Sequence, residues 1–183
     1  LYWDPWCSIS SWHGVTSVVI GNCGFGFAPC KPEDQERSML TMTRNEAVPY
    51  EAMKEGMPWD WETFPEFLDS IDRTPKGVNV LSYVPLNPLM AYVMGVEAAK
   101  TRGANAEELA EMKRLMHEAL NAGACGFSGQ LADPNFEPQR DYDGTPMITN
   151  LMQESDLMEF ANVLREQGRG FIQCIGASRE LTE

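Results

Sequence analysis

A run of mostly β-branched residues, Thr16-Ser17-Val18-Val19-Ile20, stops abruptly at a glycine-flanked cysteine, Gly21-Asn22-Cys23-Gly24. Such a run suits a strand buried on both faces of a parallel sheet, and parallel neighbours must be reached through long crossover connections, usually helices. The flanking glycines let the backbone turn sharply where the strand ends and approach a ligand closely. A thiol at that point lies where α/β folds carry their chemistry, in the loops beyond the carboxyl ends of the strands. Cys23 is therefore a candidate metal ligand or nucleophile. The plainer alternative is a small buried hydrophobe, the usual role of a free cysteine.

Strand and helix signals alternate along the rest of the chain, the pattern of parallel strands joined by crossover helices. Ser8 to Trp12 reads as the end of a short helix and Thr16 to Ile20 as the first strand. Pro32 to Glu46 reads as a helix with proline near its start. A further helix is expected over Phe64 to Ile71, capped by Thr63 with Glu66 three residues on. The second strand, Val78 to Val84, is closed by Pro85-Leu86-Asn87-Pro88. Asn105 to Leu120 carries Leu109, Met112, Leu115, Met116 and Leu120 at helical spacing. Gly123 and Gly126 then bracket the start of a third strand, Cys125 to Ser128. A polar loop, Gln130 to Met147, carries Pro134, Pro138, Asp141, Asp143 and Gly144. Ser155 is placed as the cap of a helix over Asp156 to Glu166, and Phe171 to Ile175 is the fourth strand.

About four parallel strands without a hairpin signal fit either an open doubly wound sheet or a section of a (β/α)8 barrel. A complete barrel takes about 250 residues. The 183 residues here accommodate about half of one. The fold class is thus α/β, a partial TIM-type barrel, with residues 1–183 read as the central portion of a catalytic barrel incomplete at both ends. The opening Leu1-Tyr2-Trp3-Asp4-Pro5-Trp6, without an initiator methionine, reads as an internal piece of a longer protein. The closing Arg179-Glu180-Leu181-Thr182-Glu183 stands where a further helix is expected.

A net charge of -13, from 27 acidic and 14 basic residues, disfavours nucleic acid or an anionic membrane surface as a partner. Cys7, Cys23, Cys30, Cys125 and Cys174 include no Cys-x-x-Cys pair, so neither a disulfide framework nor a zinc ribbon is indicated. A reducing cytoplasm is the expected compartment. No apolar run approaches the ~18 residues of a membrane span.

His13-Gly14-Val15-Thr16-Ser17-Val18-Val19-Ile20-Gly21-Asn22-Cys23-Gly24, continued by Phe27-Ala28-Pro29, resembles a segment of the D-aminoacylases. These are the N-acyl-D-amino-acid deacylases of the amidohydrolase superfamily. Trp59-Asp60-Trp61-Glu62-Thr63-Phe64-Pro65-Glu66-Phe67-Leu68, Val93-Met94-Gly95 and Gly123-Ala124-Cys125-Gly126-Phe127-Ser128 are similar to later landmarks of that family, in the same order. The resemblance implies a metal-dependent hydrolase of a small-molecule amide substrate, in which zinc at the strand ends activates water. It places a zinc ligand at Cys23. It also implies that the family's His-x-His pair lies before Leu1 and that its catalytic aspartate and a later histidine lie after Glu183. No catalytic residue is then expected within the chain, whose partner would be the remainder of its own barrel.

Two positions depart from the family pattern. Pro85-Leu86 stands where a Gly-His pair is usual, and Cys174 falls near a zinc-binding histidine of the last strand. Thiolate and imidazole both suit zinc, so Cys174 is a second candidate ligand, and equally a core residue. Asn22 and Ser128, at strand ends, are candidate substrate contacts beside their plainer roles in turn formation and strand termination. Gln130 is a further strand-end candidate. His13 and His117 lack convergent ligands and are read as structural. Alternatives to deacylation are a degenerate barrel that serves as a binding or scaffold protein, and hydrolysis of a cyclic amide. The sequence leaves the oligomeric state open.

Overall fold

The computed structural model describes residues 1–130 and 139–175. Pro134 and Pro138 of the polar loop, and the closing Arg179 to Glu183, lie outside the described residues. The helices are α1 (Ser8–Trp12), α2 (Gln35–Glu46), α3 (Tyr50–Gly56), α4 (Phe64–Arg73), α5 (Leu86–Met94), α6 (Val96–Ala99), α7 (Ala106–Ala122) and α8 (Glu154–Gln167). The strands are β1 (Ser17–Ile20), β2 (Asn79–Ser82), β3 (Val84–Pro85), β4 (Gly126–Gln130) and β5 (Phe171–Ile175).

All strand pairings are parallel. Ser17 to Ile20 of β1 run beside Asn79 to Ser82 of β2, and β4 lies between β3 and β5. The register sets Val84 opposite Phe127, Pro85 opposite Ser128, and Ser128 in turn opposite Gln173. The expected second strand is thus two short ones, separated at Tyr83. Its backbone still bridges both neighbours, because the Tyr83 N–H donates to the Ile20 carbonyl and the Cys125 N–H to the Ser82 carbonyl, at 3.0 and 2.9 Å. Neighbouring strands follow chain order without the reversal that a doubly wound sheet requires. This order is that of adjacent strands in a (β/α)8 barrel, although five short strands do not close one.

Side-chain caps set the starts of two helices. Thr63 accepts the Glu66 N–H while the Glu66 carboxylate accepts the Thr63 N–H, a capping box that starts α4. Asn105 and Glu108 do the same for α7. Ser155 caps nothing: α8 begins two residues earlier than expected, with Gln153 at the cap position and Ser155 inside the helix. The Pro85 to Pro88 segment opens α5 instead of closing a strand. Pro88 is tolerated there because the first turn of a helix needs no intrahelical N–H donor.

One side of β3-β4-β5 carries the core. Val84 and Phe127 are register partners buried against α7 and α8, with the Phe127 ring edge-on to Phe160 at 6.1 Å. Met112, Met116, Ala119 and Leu120 of α7 are sealed in the same cluster. A second aromatic group, Tyr2, Trp59, Trp61, Phe64 and Phe67, stacks around α4. No helix among the described residues is long and apolar enough to cross a membrane.

Candidate functional site

β1 ends at Ile20, and the chain turns at once through Gly21 (φ 80°), Cys23 (φ 58°) and Gly24 (φ 76°). The turn, a single 3-10 helical turn over Asn22 to Gly24, packs on β4 and β5. At Gly24 the approach is so close that a β-carbon would lie 2.9 Å from Asn87 Nδ2 and 3.2 Å from the Gly129 Cα. Glycine is therefore required twice over, by conformation and by space.

Polar side chains from later elements hold the turn. Ser128 Oγ accepts the Gly24 N–H at 2.9 Å and donates to the Gly21 carbonyl. Asn87 Nδ2 donates to the Gly24 carbonyl at 3.0 Å, while Asn87 Oδ1 accepts the Thr149 N–H at 3.2 Å. Gln173 Oε1 accepts the Cys23 N–H, and Gln173 Nε2 donates to Cys23 Sγ at 3.7 Å. Ser128 and Asn87 are buried, whereas Cys23 and Gln173 are half-buried.

The sequence-derived candidates separate on this geometry. Cys23 and Ser128 come together through the turn, with the Ser128 hydroxyl occupied by it. Cys174 is placed elsewhere: successive strand residues point to opposite faces, so with Gln173 against Cys23, Cys174 turns away and packs against the hydrophobic core. Burial pushes its thiol pKa up, which disfavours the thiolate that a metal would bind. Asn22 is exposed and donates to the Val19 carbonyl at 3.2 Å. Gln130, at the end of β4, is fully buried, and its carboxamide has no hydrogen-bond partner among the described residues. His13 closes α1, and His117 lies 3.2 Å from Glu166 on the α7–α8 surface, remote from the strand ends.

Sequence reading missed Asn87 and Gln173. Asn87 sat in a segment read as a terminator. Gln173 was in a recognised strand, and its facing toward Cys23 depends on a register that the sequence did not specify.

Two hollows flank the turn. A narrow cleft of about 30 Å³, open to solvent and bordered by charged side chains at one end, runs from Gly24 past Asn87 to Lys31 and Arg37. An apolar hollow of about 200 Å³, also open, is lined by Tyr2, Ile20, Phe25, Phe67 and Pro85. The far wall of the narrow cleft is fixed by Asp141, whose fully buried side chain pairs with Arg37 and Lys100 and accepts from Thr41. Burial alone would raise the Asp141 pKa, but the bonds from Lys100 and Thr41 and the Arg37 charge outweigh it and hold the carboxyl below its usual range. Asp141 in the polar loop is thus a structural anchor, while its neighbour Tyr142 faces solvent.

Zinc takes three or four protein donors. Among the described residues no three His, Cys, Asp or Glu side chains lie close enough to share a metal ion. Cys23 stands at the turn without a second such donor among the described residues, so a complete zinc site would need donors from outside them.

No protein-family model matches the chain. It is 31% identical over 172 residues to an uncharacterized protein of Mycobacterium tuberculosis, covering 91% of this chain and 27% of that protein. It is 36% identical over 116 residues to a D-aminoacylase of Alcaligenes xylosoxydans xylosoxydans, covering 63% of the chain and 21% of the relative. An N-acyl-D-aspartate deacylase of the same organism is 33% identical over 156 residues, with 79% and 28% covered. The chain therefore spans about a quarter of the length of the curated relatives it matches. Among solved structures, a D-aminoacylase described as defining a novel subset of amidohydrolases superposes with TM-score 0.58 at 27% identity, over 87% of this chain and 28% of that one. The N-acyl-D-glutamate deacylase of Bordetella bronchiseptica, solved with zinc and a phosphonate inhibitor, shares the fold with TM-score 0.64 at 22% identity, over 93% and 30%.

Proposed function

We propose, from a chain that is D-aminoacylase-like in sequence and in fold over the residues matched, that it forms part of an amidohydrolase cleaving the amide bond of N-acyl-D-amino acids. The observation that carries the reading is Cys23, held by a rigid turn at the carboxyl end of β1 inside an ordered series of D-aminoacylase-like segments. In this reading Cys23 supplies one zinc ligand, and the other donors come from outside the described residues. Zinc, when bound, would polarise the amide carbonyl and lower the pKa of its water toward about 7.

The roles left to this chain are positional. Ser128 and Asn87 fix the turn through its backbone, which keeps the thiol in place as substrate enters and leaves. The apolar hollow beside Gly24 to Phe25 offers a surface to an apolar part of an acylated amino acid.

The decisive experiment assays the intact protein, loaded with zinc, on N-acetyl-D- and N-acetyl-L-amino acids. Amine release from the D series is expected. A folded, zinc-bound protein that hydrolyses neither series overturns the reading, and preferential opening of a cyclic amide would reassign the substrate. Cys23→Ala is expected to lower zinc content with little change in melting, and unchanged metal stoichiometry would remove Cys23 from the ligand set. Residues 1–183 alone are expected to be inactive, because the described residues lack a complete ligand set.

A further inference from the structure

We propose that Gln173 is the positioning residue of Cys23, a two-point carboxamide clamp that fixes both the backbone and the sulfur of the site thiol. The inference rests on the reading of Cys23 as a site residue.

The carboxamide is bifunctional and neutral, with an acceptor and a donor a fixed distance apart. Oε1 takes the Cys23 N–H and Nε2 reaches Sγ at 3.7 Å, so one side chain satisfies both ends of one residue across 150 positions of sequence. The clamp is aimed by the sheet. Gln173 is the register partner of Ser128, so both project from the same face of β4 and β5 onto the same turn. Cys23 also needs such support, since its left-handed φ of 58° is unfavourable for a residue with a β-carbon and persists only where its surroundings over-determine it.

Chemistry favours glutamine over its neighbours in size. Glutamate would accept the N–H but set a carboxylate beside the sulfur, repelling the thiolate that a metal requires. Leucine would do neither task, and asparagine is one methylene short. The clamp therefore resembles the outer-shell partners that orient metal ligands, whose loss typically lowers metal affinity about 10- to 100-fold.

The test compares Gln173→Leu, Gln173→Asn and Gln173→Glu in the intact protein by amide hydrogen exchange across Gly21 to Phe25 and by zinc competition with a chromogenic chelator. The Cys23 amide is expected to exchange at least tenfold faster in the leucine and asparagine variants, at unchanged melting temperature. Glutamate should restore protection, because its carboxylate accepts the same N–H. Zinc affinity should fall about tenfold in the leucine variant. Should leucine unfold the protein, the asparagine variant carries the comparison. Unchanged Cys23 exchange in both shortened variants overturns the clamp, even if zinc binding weakens. Faster exchange with undiminished zinc affinity, in a protein whose zinc is lost on Cys23→Ala, leaves Gln173 a support of the turn and overturns its role in positioning the sulfur.

Discussion

Residue-scale constraints are sharpest where backbone and charge are buried together. A methyl group on Gly24 would press on Asn87 and on the β4 backbone while the residue keeps a φ of 76°. Gly24→Ala is expected to destabilise the protein by about 1–3 kcal/mol and to loosen the Cys23 turn, read as a lower urea midpoint. Asp141 answers to electrostatics. Its carboxylate is buried between two cations, and Asp141→Ala would leave those charges without their partner, at about 3 kcal/mol. Because its folded pKa is depressed, this contribution is present above the unfolded carboxylate pKa, about 3.9, and is lost as pH falls through the folded value. Wild-type stability should therefore decline on acidification below about pH 4, and the Asp141→Ala variant should show a shallower decline in pH-dependent urea titrations.

Elements were legible where a local signal matched a local cause. Thr63 with Glu66 announces α4, and Thr63→Ala is expected to cost about 1 kcal/mol in thermal or urea unfolding, because the Glu66 N–H loses its acceptor. Asn105 announces α7 in the same way. By contrast α5 was invisible, since Pro85 and Pro88 read as breakers. Its Leu86, Leu89, Met90 and Ala91 are also buried together with Asn87, leaving no polar face to mark a helical period. α3 is a seven-residue helix that buries only Met53 and gives too short a pattern to register. The site divides along the same line. Cys23 and Ser128 are legible because each adjoins a strand end in sequence, while Asn87 and Gln173 reach the turn from 63 and 150 residues away. Gln173 needed the strand register, which is set by pairing with β4 and not by the residues of β5.

At the scale of the whole molecule, the consequential feature is a parallel sheet with two open sides. Among the described residues β1 pairs only with β2, and β5 only with β4. Exposed apolar side chains accompany both strands, Val19 on one and Phe171 and Ile172 on the other. A flat, apolar strand edge with free N–H and C=O groups is a template for pairing with another chain. The 1–183 chain is accordingly expected to associate with rising concentration in static light scattering. Val19→Lys, which sets a charge on the β1 edge, should reduce that association without disturbing the core, because Val19 is 42% exposed. Phe171→Lys should act independently at the other edge, and the two effects should add if each strand recruits its own neighbour. A wild-type chain that stays monomeric at high concentration and melts cooperatively would show that the edges are protected by the twist of the short strands, and that the sheet needs no further strands to be stable.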